Sequence, residues 1–210
     1  MGVGSAVRRR LGKLEVPASN LYRSFFINLD DLGLLVHSLF PDATRILEVG
    51  CGDGMFANRL AWMYPKATYV GLDVAPGPGR LFTGEPDRAS FHSMYTGDYR
   101  KTGPDRFDLA LLVDVMHHVP DAQRDDLLAD LRAMTAPSGH YVLKDWAASR
   151  TPGHYAAFAA DRLVSGTPIW FMSAEQMKRR LNGLFPGDTL VAEARIPPRR
   201  NNLLLAYRRA

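Results

Sequence analysis

The chain is poor in several features that mark other classes of protein. It has one cysteine, Cys51, so no disulfide framework can form within it. That suits a reducing cytoplasm, the expected location. A single thiol with no Cys or His at ligand spacing also argues against a structural zinc site. No apolar run approaches the ~20 residues needed to span a bilayer. Arg8-Arg9-Arg10 is followed by no apolar core segment and no small-residue cleavage site, so it does not read as a secretory signal. There is no internal repeat and no low-complexity stretch. Aromatics do not interleave with basic residues at regular spacing, which leaves nucleic acid an unexpected partner.

What remains is ordinary globular material. With 210 residues, 46% of them hydrophobic, one packed α/β domain is the natural expectation. The net charge of +4 comes largely from arginine pairs such as Arg179-Arg180, Arg199-Arg200 and Arg208-Arg209. A solvated surface explains them, and a stripe for an anionic partner is the sharper alternative.

The informative stretch is Arg45-Ile-Leu-Glu-Val-Gly-Cys-Gly-Asp-Gly54. A short apolar run leads into glycines at 50, 52 and 54, and helical material from Met55 to Met63 follows. Strand, glycine turn and helix open a nucleotide-sized crevice at the carboxyl edge of a parallel sheet. Thr68 to Asp73 reads as a second strand ending in a carboxylate, suited to both hydroxyls of a ribose. A dinucleotide fold calls for G-x-G-x-x-G, aimed at a pyrophosphate. Here the pattern is E-x-G-x-G-x-G, with Glu48 ahead of the first glycine.

That pattern resembles motif I of the class I S-adenosylmethionine-dependent methyltransferases. The run Phe107 to Val113, flowing into Asp114-Val-Met-His-His-Val-Pro-Asp121, resembles the family's fourth strand and the segment after it. Asp121 is expected to cap a helix reaching about Met134, Pro137-Ser-Gly139 to form a turn, and Tyr141 to Trp146 to be the fifth strand. Ala89 to Met94 is the expected third strand. Thr189 to Ile196 and Asn202 to Tyr207 read as a closing antiparallel pair. The resemblance spans about residues 44 to 210, and nothing before residue 44 carries a readable family signal. It implies a Rossmann-like α/β fold: a seven-stranded, mostly parallel sheet, helices on both faces and a C-terminal antiparallel pair. Residues 1–40 are expected to be a leader and helical cover, and 41–210 the cofactor-binding domain. A helix from Gly153 to about Val164 would form a partial lid, and Ser173 to Gln176 a capping box.

By the same resemblance the expected cofactor is S-adenosyl-L-methionine. Its ligands are expected to be Glu48, Gly50, Gly52, Gly54, Asp73, Asp98 near the adenine, Asp114 at the strand end, and Tyr22 with Arg23 over the carboxylate. His117 and His118 are the candidate bases, with Asp145 as a second candidate. Lys144-Asp145 is a charged pair inside an apolar strand, costly unless each charge is paired or functional. No Asn/Asp-Pro-Pro-Tyr/Phe run, no cysteine after the fourth or fifth strand and no metal-ligand carboxylate set is apparent. These absences exclude cytosine-carbon chemistry and argue against amino-adenine and magnesium-assisted catechol chemistry. The expectation is methyl transfer to O, N or C of a small metabolite. The alternatives are cyclisation or elimination on the cofactor's aminobutyrate chain, an RNA or protein methyltransferase, and a non-catalytic binding protein.

Overall fold

The computed structural model describes residues 27–102, 106–148, 168–197 and 201–210. Seven strands form one sheet in the order β3-β2-β1-β4-β5-β7-β6. They are β1 (Arg45–Val49), β2 (Thr68–Asp73), β3 (Ala89–Ser93), β4 (Phe107–Val113), β5 (Thr135–Trp146), β6 (Thr189–Arg195) and β7 (Asn202–Arg208). β1 to β5 pair in parallel, and β7 runs antiparallel to both β5 and β6. The expected fold class and the closing antiparallel pair are therefore what the sheet contains.

Helices lie on both faces. On one side α1 (Leu29–Leu39) and α2 (Met55–Met63) pack with Ile46, Tyr69, Leu109, Leu111, Val142 and Leu204. On the other, α3 (Thr96–Thr102), α4 (Asp121–Met134) and α5 (Ala174–Leu184) cover Leu47, Ala110, Leu112, Tyr141, Leu143 and Leu205. Successive residues of β4 alternate between these two cores. That is why its sequence is an unbroken apolar run with no polar alternation. Truncating a residue such as Leu111, wholly buried, to alanine would cost about 2–5 kcal/mol.

Two local expectations change. Asp121 does not cap α4: Pro120 stands at the cap position with no side-chain cap bond, and Asp121 lies in the first turn. Its carboxylate is taken by Arg180, 2.6 Å away, while its charge still complements the helix N-terminus. The turn at Pro137–Gly139 is absorbed into β5 as a bulge. The register jumps from Phe107↔Thr135 to Leu109↔His140, and Ser138 takes a left-handed φ of 61°. The extra residues loop out while the strand keeps its pairing. The Ser173 to Gln176 capping box opens α5, with both reciprocal bonds formed, a device that contributes about 1 kcal/mol. The expected lid helix at 153–164 lies outside the described residues.

Candidate active site at the carboxyl edge of the sheet

The glycine turn follows β1. The amides of Gly50 and Cys51 both donate to Leu72 O, at 2.7 and 3.1 Å, so the turn is stitched to the end of β2. Gly50 sits at φ 79°, and a Cβ there would lie 2.1 Å from the Val115 side chain. Gly52, at φ 53°, has open space where a Cβ would stand. Only glycine adopts that backbone freely, and the room it leaves is a cradle for a ligand against the main chain. Gly54, at φ 86°, faces the backbone of Gly79 instead. Its omission of a side chain serves packing of the Ala75–Gly79 loop.

Asp73, at the end of β2, accepts from the Gly52 amide (2.8 Å) and from the Ala75 amide (2.7 Å). Each oxygen keeps a second lone pair for a ligand hydroxyl. Gly52 and Asp73 thus form one unit, and its residues fit a nucleoside with its ribose on the carboxylate. Glu48 is buried on β1 and accepts a short hydrogen bond from the Tyr69 hydroxyl on β2. Burial first, and Glu48 next, push the Tyr69 phenol well above its ordinary range, so it remains a donor. Burial, with Glu48 and Asp73 adding, likewise raises the Cys51 thiol and keeps it unreactive.

The chemistry-bearing residues of the second half converge at the ends of β4 and β5. Asp114 leaves β4 with φ 56°, a left-handed conformation that costs a non-glycine residue about 1–2 kcal/mol. Lys144 on β5, fully buried, holds it there: its Nζ donates to both Asp114 oxygens at 2.6 and 2.7 Å. Asp114 N–H returns a bond to Lys144 O at 2.9 Å. Asp145, the next residue, takes His117. Its Oδ1 lies 2.5 Å from His117 Nδ1 and its Oδ2 accepts the His117 amide at 3.0 Å. The Trp146 amide adds a third donor at 2.7 Å. Burial alone would raise the Asp145 pKa. The charge and hydrogen bond of His117, then Lys144 and the Trp146 amide, outweigh it and hold the carboxyl below its usual range. The adjacent charges Lys144 and Asp145 are therefore each paired, but with different partners across the strand.

With a carboxylate on Nδ1, the proton of a neutral His117 ring resides there and Nε2 is the basic nitrogen. The His117 ring is flanked by the His118 ring, centroids 4.1 Å apart, and by Phe171 at 5.1 Å. Phe171 in turn lies 6.5 Å from Trp146. Both histidines follow β4 on one 3₁₀ turn (Met116–His118), with His117 buried and His118 half-buried. The fold also brings ligand-type atoms of Asp114, His117 and Asp145 within 4.8 Å of one another, a grouping that no spacing in the sequence suggests. Lys144 and the donors on Asp145 already engage both carboxylates, so the cluster carries its own cation.

Asp98 lies in the first turn of α3, mostly exposed, in an ion pair with Lys101. Tyr22 and Arg23 lie outside the described residues. Sequence reasoning misses Tyr69 and Arg124. Each acts through a partner more than twenty residues away, and no local pattern marks such a contact.

Comparison with known proteins places this arrangement. A model of the methyltransferase domain matches residues 9–184. The chain belongs to that family, in its class I, S-adenosylmethionine-dependent form. The match starts well before residue 44, ahead of the part in which the family can be read from motifs. The chain is 36% identical over 80 residues to a ubiquinone biosynthesis O-methyltransferase of Azorhizobium caulinodans, covering 37% of this chain and 31% of that protein. It is 32% identical over 106 residues to a fatty-acid O-methyltransferase of Mycolicibacterium smegmatis, covering 50% and 38%. Matched stretches span 24%, 31% and 52% of the first three curated relatives. Among solved structures, the fold matches a Burkholderia thailandensis 1,6-didemethyltoxoflavin-N1-methyltransferase with bound 1,6-didemethyltoxoflavin and S-adenosylhomocysteine. The TM-score is 0.69 at 15% identity, over 98% of this chain and 88% of that one. A mitomycin 7-O-methyltransferase aligns with TM-score 0.71 at 17% identity, over 96% and 57%. Among the described residues no helix is long and apolar enough to cross a membrane.

Proposed function

We propose that this protein transfers a methyl group from S-adenosylmethionine to an oxygen or nitrogen of a small-molecule metabolite in the cytoplasm, with His117 as base and Asp145 as the group that orients it. One observation carries the reading. The buried His117–Asp145 pair stands at the carboxyl ends of β4 and β5, the sheet edge that also carries the Gly52–Asp73 cradle. Ligands of parallel α/β sheets bind at that edge.

When bound, the cofactor supplies an activated methyl group on a sulfonium. Asp73 would hold its ribose, the Gly50–Gly52 turn would lie along its amino-acid end, and Glu48 and the Asp114 backbone would complete the cradle. His117 Nε2 would take a proton from an acceptor hydroxyl or ammonium, while Asp145 keeps the ring in the productive tautomer. A carbon acceptor would draw less on such a base. Phe171 and Trp146 would wall the acceptor and exclude water. On this reading residues 1–40 would be a leader and helical cover segment, and 41–210 the cofactor-binding domain.

In two of the arginine pairs one member is engaged within the fold, which favours a small-molecule acceptor over RNA. Arg180 is engaged by Asp121 and Asp125, and Arg209 by backbone carbonyls at the end of α4. These guanidiniums are spent within the fold.

The test begins with purified protein and S-adenosylmethionine alone, followed by mass spectrometry. The expected result is bound, intact cofactor. Methylthioadenosine above a no-enzyme control would replace this reading with cofactor cyclisation or elimination. A labelled-methyl screen of metabolites follows. His117→Ala is expected to lower turnover by roughly 10²–10⁴-fold, the usual contribution of a positioned base, with cofactor affinity unchanged. Full turnover by that variant would remove His117 from the mechanism.

A further inference from the structure

The Arg124 side chain grips both segments that frame the His117 ring. Arg124 lies on α4, with a side chain only 4% exposed. Its Nε donates to Val119 O at 2.9 Å, just past the turn that carries both histidines. Its Nη2 donates to Trp170 O at 2.6 Å. The Trp170 amide donates to His117 O at 2.8 Å. The 170–171 backbone is therefore held from two sides, and Phe171 comes to rest against the His117 ring.

A buried guanidinium carries a large desolvation cost, and apolar packing of the same volume often stabilises as well or better. Asp121 offers only a loose counter-charge at 3.5 Å, and shares it with Arg180. What arginine offers that an apolar residue cannot is a planar fork with donors at fixed angles. That geometry sets the distance between two carbonyls on separate segments.

We propose that Arg124 is a positioning residue for the acceptor side of the site: it locks the Trp170–Phe171 wall onto the His117 turn, so that imidazole and aromatic wall reach the crevice pre-assembled. The proposal rests on the reading of His117 as base. It predicts that the wall, and not the cofactor cradle, responds to changes at Arg124.

The experiment uses the full chain, ¹⁵N-labelled, saturated with S-adenosylhomocysteine. Three quantities are read: amide hydrogen exchange at Trp170, the ring ¹⁵N shifts of His117 at fixed pH, and S-adenosylhomocysteine affinity by calorimetry. Arg124→Met is expected to speed Trp170 exchange by roughly tenfold or more, the scale of a lost charge-assisted hydrogen bond. The His117 ring signals should move as well. Amides of Leu128 and Leu131 on the same helix should keep their rates, and affinity should stay within about twofold. Arg124→Lys, which presents a single ammonium in place of the fork, should fall between wild type and Met on both wall readouts. Phe171→Leu should move the His117 signals without changing Trp170 exchange. The proposal fails if Arg124→Met leaves Trp170 and His117 as in wild type, or speeds Leu128 and Leu131 equally, which would mark a general stability role. If the Met variant does not fold, Arg124→Lys decides: wild-type values on both wall readouts overturn the proposal. Failure of the functional reading is separate, since it would show as no S-adenosylhomocysteine binding by wild type or full turnover by His117→Ala.

Discussion

Asp145 and Asp188 are two enclosed carboxylates at opposite ends of the same sheet. Asp145 lies near the carboxyl end of β5, Asp188 just before β6 at the other edge. Asp188 accepts from Arg132 at 2.6 and 2.7 Å, from the Tyr141 hydroxyl at 2.9 Å and from the Ala210 amide at 3.0 Å. Around it Tyr141 stacks on Tyr207 and Arg132 covers Phe185. In both cases burial pushes the carboxyl pKa up and the donors pull it further down, leaving it below the ordinary range. The difference lies in the partner. Arginine holds its charge at every physiological pH, so the Asp188 cluster is a fixed bolt that ties α4, β5 and the last residue together. An imidazole, unlike a guanidinium, can give up and take a proton, so the Asp145 cluster holds a group able to do chemistry. Similar burial and similar carboxylate shifts thus accompany a structural joint in one place and a candidate catalytic pair in the other.

Variants can sharpen that contrast. The largest expected effect is Asp145→Asn, which removes the charge that orients His117. Turnover with an acceptor found in the labelled-methyl screen should fall by roughly 10²–10⁴-fold, while chemical denaturation shows a smaller change. Asp188→Ala should do the reverse. Breaking an enclosed ion pair leaves Arg132 and Tyr141 without their acceptor, and the urea midpoint should report a loss of about 3–5 kcal/mol, with S-adenosylhomocysteine affinity unchanged. If Asp188→Ala weakened the cofactor instead, the two ends of the sheet would not be separable.

Next in size is Asp73→Ala. It removes an acceptor that also organises the Gly52 turn, and cofactor affinity measured by calorimetry should drop about 10- to 100-fold, the scale of hydrogen bonds to a charged group. Unchanged affinity would take Asp73 out of the cradle. The smallest effect is the acid limb of stability. Both carboxyls have folded pKa values below those of the unfolded chain, where an aspartate titrates near ~3.9. Above that value the folded state gains their full contribution, and it loses it as pH falls through the depressed folded values. Unfolding free energy should therefore decline below about pH 4. Asp188→Asn should flatten part of that decline without altering the pH profile of turnover.

Much of this architecture is legible in the amino-acid sequence. The strand–glycine–helix stretch at 45–63, Asp73 at a strand end, the double-sided run of β4, the capping box at Ser173 and the closing strand pair are set by patterns within a few residues. Period-two or period-three-to-four burial, and backbone that only glycine adopts freely, leave direct marks on composition. Asp121 as a cap and a separate turn at 137–139 fail for one shared reason. Local chemistry allows both, and contacts from Arg180 and from the neighbouring strand choose otherwise.

The sequence by itself determined the fold class, the glycine turn beside Asp73 and the presence of ionisable groups after β4 and β5. Only the tertiary structure decided which charge meets which. Lys144 and Asp145 are neighbours in the chain, yet each meets a different partner, one Asp114 and the other His117. Those partners lie 30 and 28 residues away. They meet because β4 and β5 pair in one particular register, which is a property of the sheet and of no segment alone.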